Sequence, residues 1–75
     1  MAKPAFWIVW NVGGGNPTVM HPDRDKAERE AQRLARLNPG ADFVVFASVI
    51  GFRKTDLVRI EYDGLQQILD EEAPF

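Results

Sequence analysis

The segment WNVGGGNPTVMHP, residues 10 to 22, holds the two features of this chain that look most like chemical machinery: three consecutive glycines and the single histidine, His21. A Walker-type phosphate cradle requires GxxxxGK[ST] running straight into a helix, so that backbone amides, a lysine and a hydroxyl converge on the phosphates. No Gly-Lys-Ser/Thr follows these glycines, and the first helix signal comes about seven residues later. A dinucleotide fingerprint, GxGxxG between strand and helix with an acid further on, does not fit either. The glycines are therefore read as a loop that turns the chain. His21 would need a second group to orient it for acid–base work or to share a metal with it. The chain has no second histidine and no cysteine, which also removes disulfides, thiolate metal sites and a cysteine nucleophile. His21 is read as part of a helix start. The expectation is no catalytic set, no metal and no cofactor.

Charge offers two further constellations. Residues 1 to 60 hold all nine Lys and Arg against six acids, whereas residues 61 to 75 hold five acids and no base, giving a net charge of −2. At 100° per residue, Lys26, Arg29, Arg33 and Arg36 fall within about 80° of one another on a helix. Such a ridge could follow a phosphate backbone. It could equally be a solvated outer face, partly neutralised by Asp25–Arg29 and Glu30–Arg33 pairs. The terminal strip of Glu61, Asp63, Asp70, Glu71 and Glu72 has the opposite sign and could imitate phosphate for a basic surface.

These residues must be positioned by few elements, because 75 residues make one domain, read here as residues 1–75. AFWIVWNV, residues 5 to 12, is β-branched and aromatic on both alternating sets and predicts a strand buried on two faces. PTVM, residues 17 to 20, predicts a short second strand, with GGGN as the hairpin loop. Asp23 stands where a helix N-cap belongs, and the helix runs to about Leu37 with Ala27, Ala31, Leu34 and Ala35 as its apolar stripe. Asn38-Pro39-Gly40 ends it. Residues 42 to 52 predict a central strand with a bulge or bend at Gly51. RKTD turns the chain into LVRIEYD, a half-exposed antiparallel partner. DGLQQILDEEAPF predicts a fraying helix whose acids lie at the wrong end of its dipole. The expected fold is α+β, a small antiparallel sheet in ββαββ order with a short C-terminal helix, packed on one main helix.

One good helix cannot cover both faces of such a sheet. The alanine stripe is expected to press on Phe6, Ile8 and Trp10, leaving Trp7 and Val9 on the other side. A bare apolar patch is a liability in a soluble monomer. Three things could cover it: the tail through Leu65, Ile68, Leu69 and Phe75, a second copy in a homodimer, or a different protein. The expected partner-binding residues are Trp7, Val9, Arg29, Arg33, Arg36 and Arg59. The amino-terminal apolar run is too short for a signal peptide or a membrane span, so no membrane is expected and the location is read as the cytoplasm.

The run HPDRDKAEREAQRLARLNPGADFVV resembles a signature of small proteins encoded by bacteriophages and prophages. His21, Ala27, Glu30, Ala31, Arg33, Leu34, Ala35, Asn38, Pro39, Gly40, Phe43 and Val45 match it, with Asp23 in place of the usual Ser or Thr cap. The resemblance implies a ββαβ core and an accessory protein that binds and blocks host machinery, including defence complexes, in the manner of an anti-CRISPR inhibitor. It implies no catalytic residue. The expected function is a non-enzymatic protein-binding module acting by occlusion in a bacterial host cell, with nucleic-acid binding through the basic ridge, or acidic phosphate mimicry, as the alternative.

Overall fold

The first helix begins where its cap dictates. In the computed structural model of the chain, which describes residues 2 to 72, the Asp23 carboxylate accepts from the Lys26 amide at 2.8 Å and helix α1 spans Arg24–Leu37. Asn38 closes the other end, its side chain donating to the Leu34 carbonyl at 2.8 Å, and Gly40 follows at φ +90°, a region glycine enters without a Cβ penalty. The remaining elements are strands β1 Trp7–Asn11, β2 Phe43–Ala47, β3 Ile50–Arg53 and β4 Val58–Glu61, and helix α2 Gly64–Glu72. The class is α+β, with two separate two-stranded sheets, β1–β2 and β3–β4. No helix among the described residues is long and apolar enough to cross a membrane.

The chain divides into two compact units, Phe6–Phe46 and the flanking stretches up to Ala5 and from Ala47 onward. In the first, the amide of Val12, just past β1, donates to the Asp42 carbonyl, just before β2, so the two strands run antiparallel. Helix α1 packs on β1. Its buried residues are Ala27 and Ala31, and opposite them Trp7 is only 2% exposed. This reverses the expected faces. Trp7 and Val9 point toward α1, and Ile8 and Trp10 point away, so that one indole fills the room the alanines leave. The PTVM strand does not form. Residues 12 to 20 are irregular and exposed, and the chain rejoins β1 only at His21, whose backbone exchanges two hydrogen bonds with Trp7 at 2.8 and 2.7 Å. Pro17 lacks the N–H a ladder needs, and Val19 and Met20 remain exposed.

In the second unit, β3 and β4 form an antiparallel hairpin with Ile50 opposite Glu61 and Arg53 opposite Val58. The expected continuous strand 42 to 52 is broken at Ser48–Val49, not bent at Gly51. Gly51 keeps regular pairing with Ile60; a Cβ there would meet the Tyr62 ring at 3.4 Å. Lys3 runs parallel beside β4, donating to the Glu61 carbonyl at 2.8 Å and accepting from the Asp63 amide at 3.0 Å. Asp63 then holds two things at once: its Oδ1 accepts from the Ala5 amide at 2.7 Å and from the Gln67 side chain at 2.8 Å. Gly64, the first residue of α2, lies so close to the break that a Cβ would meet the Ser48 carbonyl oxygen at 2.2 Å and the Ala47 methyl at 2.8 Å.

Two glycines should therefore behave oppositely. Gly64→Ala should destabilise by about 2 kcal/mol or more, since backbone must move to admit the methyl. Gly15→Ala, with nothing within 4 Å of the new Cβ, should stay within about 0.5 kcal/mol of the parent. Urea denaturation of both checks this, and equal midpoints would refute the packing described. Asp23→Ala should cost about 1 kcal/mol through loss of the cap, read as a lower thermal midpoint of the helical circular dichroism signal.

Candidate functional site

Alternation along each strand decides which apolar residues the fold hides. In β1 and β2 the residues toward α1 are Trp7, Val9, Phe43 and Val45, buried or half-buried. The opposite face carries Ile8 and Trp10, half-buried, with Val44 and Phe46, the latter 44% exposed. The Trp10 and Phe46 rings lie 6.3 Å apart at 56°, within the range of favourable tilted aromatic pairs. The glycine loop folds onto this face: the Trp10 indole Nε1 donates to the Gly15 carbonyl at 3.2 Å, and Gly14, Asn16 and Pro17 join Ile8, Trp10 and Phe46 around an open groove of ≈ 330 Å³. The loop is a lip on an apolar surface. Its glycines serve that shape, with Gly13 at φ +85° and Gly14 so close to Asn11 that a Cβ would sit 3.0 Å from its carbonyl oxygen.

The second unit exposes a different surface. At the tip of the β3–β4 hairpin Phe52 is 65% and Leu57 71% exposed. Leu57 follows Asp56 with both at positive φ, 50° and 61°, conformations that cost a non-glycine residue roughly 1 kcal/mol each. Charged residues neighbour these positions along the hairpin: Arg53, Lys54, Asp56, and Arg59 ion-paired to Glu61. Val49, Ile50, Leu65 and Leu69 line a groove of ≈ 390 Å³ together with Arg59, Glu61 and Asp63.

Among the expected site residues, Trp7 is not available to a partner. Its indole is buried and its Nε1 has no hydrogen-bond partner. Val9 lines a cavity of ≈ 230 Å³ on the α1 side with His21, Glu30, Leu34 and Phe43. The reason is the reversed strand parity. Arg29 and Arg36 are exposed on α1 with no ion pair among the described residues, whereas Arg33 grips Glu30 with two hydrogen bonds at 2.7 and 2.9 Å. The expected Asp25–Arg29 pair is replaced by Arg24–Glu28 at 3.2 Å. The ridge therefore has gaps in its free charge. Arg59 is exposed on β4 and bound to Glu61. Phe75, expected to help cover the sheet, lies outside the described residues. Among the described residues no three His, Asp or Glu side chains gather as a metal site.

Sequence reasoning missed Ile8, Trp10, Val44 and Phe46 as the open face. Nothing in the sequence separated the two faces, since each alternating set of β1 carries one tryptophan, Trp7 with Val9 and Trp10 with Ile8.

Arg33 holds the Glu30 carboxyl below the ordinary glutamate value, first by hydrogen bonding and then by charge, and is itself raised by Glu30. A lowered carboxyl adds stability above its unfolded value and loses it as pH falls through the lowered one. The pair thus persists at neutral pH and breaks only in acid below the usual glutamate range. Carbon NMR titration should place the Glu30 midpoint below that of a free glutamate, and Arg33→Met should return it there; an unmoved midpoint would show that the pair does not form in solution. No protein-family model matches the chain, and no curated protein or solved structure was found to be similar to it.

Proposed function

We propose that the chain is a non-enzymatic protein-binding module that acts by covering a surface of another protein. One observation carries this reading: large apolar side chains stand at the surface while the buried apolar residues among the described ones are Ala5, Trp7, Ala27 and Ala31. Three of those four contribute only a methyl group to the core. The β3–β4 hairpin supplies the contact to the partner, with Phe52 and Leu57 as apolar anchors inside a rim of Arg53, Lys54 and Arg59. An apolar centre within a charged rim is the usual anatomy of a protein interface. The target is a bacterial host protein or defence complex, a reading supported by the resemblance of residues 21 to 45 to phage-encoded accessory proteins. Nucleic acid is the weaker alternative, because Glu30 occupies Arg33 and Glu28 occupies Arg24, which leaves fewer cations to release counterions from a phosphate backbone.

Affinity capture from bacterial lysate, with cross-linking and mass spectrometry, tests this. The wild type should retain a defined protein partner after nuclease treatment, and Phe52→Lys should lose it while keeping its circular dichroism spectrum. Retention of the same partner by folded Phe52→Lys removes the hairpin from the interface. A catch that disappears with nuclease, or with a modest rise in salt, points to nucleic acid and overturns the reading.

A further inference from the structure

The backbone at the tip of the β3–β4 hairpin is at odds with the residues that occupy it. The last regular pair is Arg53 opposite Val58, so Lys54 to Leu57 form the loop, within which the Thr55 amide donates to the Arg53 carbonyl at 3.0 Å. Asp56 and Leu57 sit at φ 61° and 50°. Two successive positive-φ positions in a hairpin are ordinarily met by Asn-Gly or Gly-Gly. Asp56 suits the first, because a short polar side chain enters the left-handed region with little penalty. Leu57 does not suit the second. Its Cβ crowds the following carbonyl oxygen, and its side chain has no polar group to answer with a local hydrogen bond. The leucine recovers little by burial, being 71% exposed. A residue strained in the backbone and unused in packing marks a position held for something outside the fold.

We infer that Leu57 is retained for contact with the partner, against the fold's own stability, and that the partner meets it with an apolar pocket edged by carboxylates. The inference rests on the reading of the hairpin as the contact surface and names the chemistry on the other side. Charge sets the edge of that pocket. Arg59 is neutralised by Glu61, whereas Arg53 and Lys54, next to Phe52 in the chain, have no ion pair among the described residues. Set against Asp56, those two cations leave residues 52 to 57 with a net charge of +1. A partner surface of opposite sign is favoured over one of like sign. The tight loop adds pre-organisation, since an anchor already fixed in place loses less freedom on docking.

Stability and affinity should therefore move in opposite directions at this one position. Leu57→Asn keeps a side chain of similar size but one that accepts positive φ. It should raise the folding equilibrium constant about threefold, read as a higher urea midpoint. The probe for affinity is the protein that the wild type retains after nuclease treatment, purified and immobilised for surface plasmon resonance. Leu57→Asn should bind it at least about thirtyfold more weakly, as loss of an anchor does, mainly through faster dissociation. Asp56→Asn leaves the leucine in place in the same turn and should bind within about threefold of the wild type. Arg53→Glu combined with Lys54→Glu should slow association about tenfold.

A Leu57→Asn no more stable than the wild type shows the leucine at work within its own chain and overturns the inference, as does a stabilised Leu57→Asn that binds like the wild type. Unchanged or faster association of the double charge reversal removes the carboxylate edge, and with it the partner named here. Failure of the underlying reading looks different: folded Phe52→Lys then keeps the partner, or the wild type retains no protein at all, which overturns both.

Discussion

The room that α1 leaves above β1 governs the first unit. Ala27 and Ala31 are the residues α1 buries, and small side chains let a helix axis approach a strand closely. Into the space opposite goes Trp7, the largest fully buried side chain among the described residues. A bigger residue at either alanine would collide with the indole, and a smaller one at position 7 would leave a void whose cost grows with its volume. The same tryptophan is fixed from behind, since its backbone bonds in both directions to His21. One residue thus joins the strand, the return of the loop and the approach to the helix cap at Asp23.

Strand parity follows from that placement, and exposure follows from parity. With Trp7 inward, Val9 must also face α1, and Ile8 and Trp10 must face away, because successive side chains on a strand point to opposite faces. The glycine loop then answers to Trp10, accepting its indole N–H at Gly15 and curling along one margin of the outer face. A loop rich in glycine thus frames an apolar surface. A core in which three of the four buried apolar residues among the described ones are alanine is modest, as expected of a chain this short, and it leaves large apolar side chains at the surface.

The second unit is organised by polar economy. Asp63 joins an amino-terminal segment to the start of α2 through one carboxylate oxygen, and Gly64 lets that helix begin against the Ser48 carbonyl. Gly64 thus lies against the break that divides the predicted 42–52 strand. The Val49 carbonyl accepts from the Tyr62 amide at 2.8 Å, so the chain on the far side of the break belongs to the hairpin and no longer to β1. Two sheets arise where the residue pattern suggested one.

Local chemistry was legible in advance wherever it depends on near neighbours in the chain. The cap at Asp23, the stop at Asn38 to Gly40, the span of α1, the turn between β3 and β4 and the Glu30–Arg33 pair all lie within a few residues of their causes. The α+β class also follows from periodicity, as does the lack of a Walker or dinucleotide loop from spacing. What tertiary structure alone decided is which of two equally apolar strand faces meets the helix, because AFWIVW reads the same from either side and only the fit of an indole over two methyl groups separates them. It likewise decided where residues 42 to 52 break, since the Gly64–Ser48 approach joins positions far apart in the chain. The first of those choices put Trp7 and Val9 on the α1 side and left Ile8, Trp10, Val44 and Phe46 on the other.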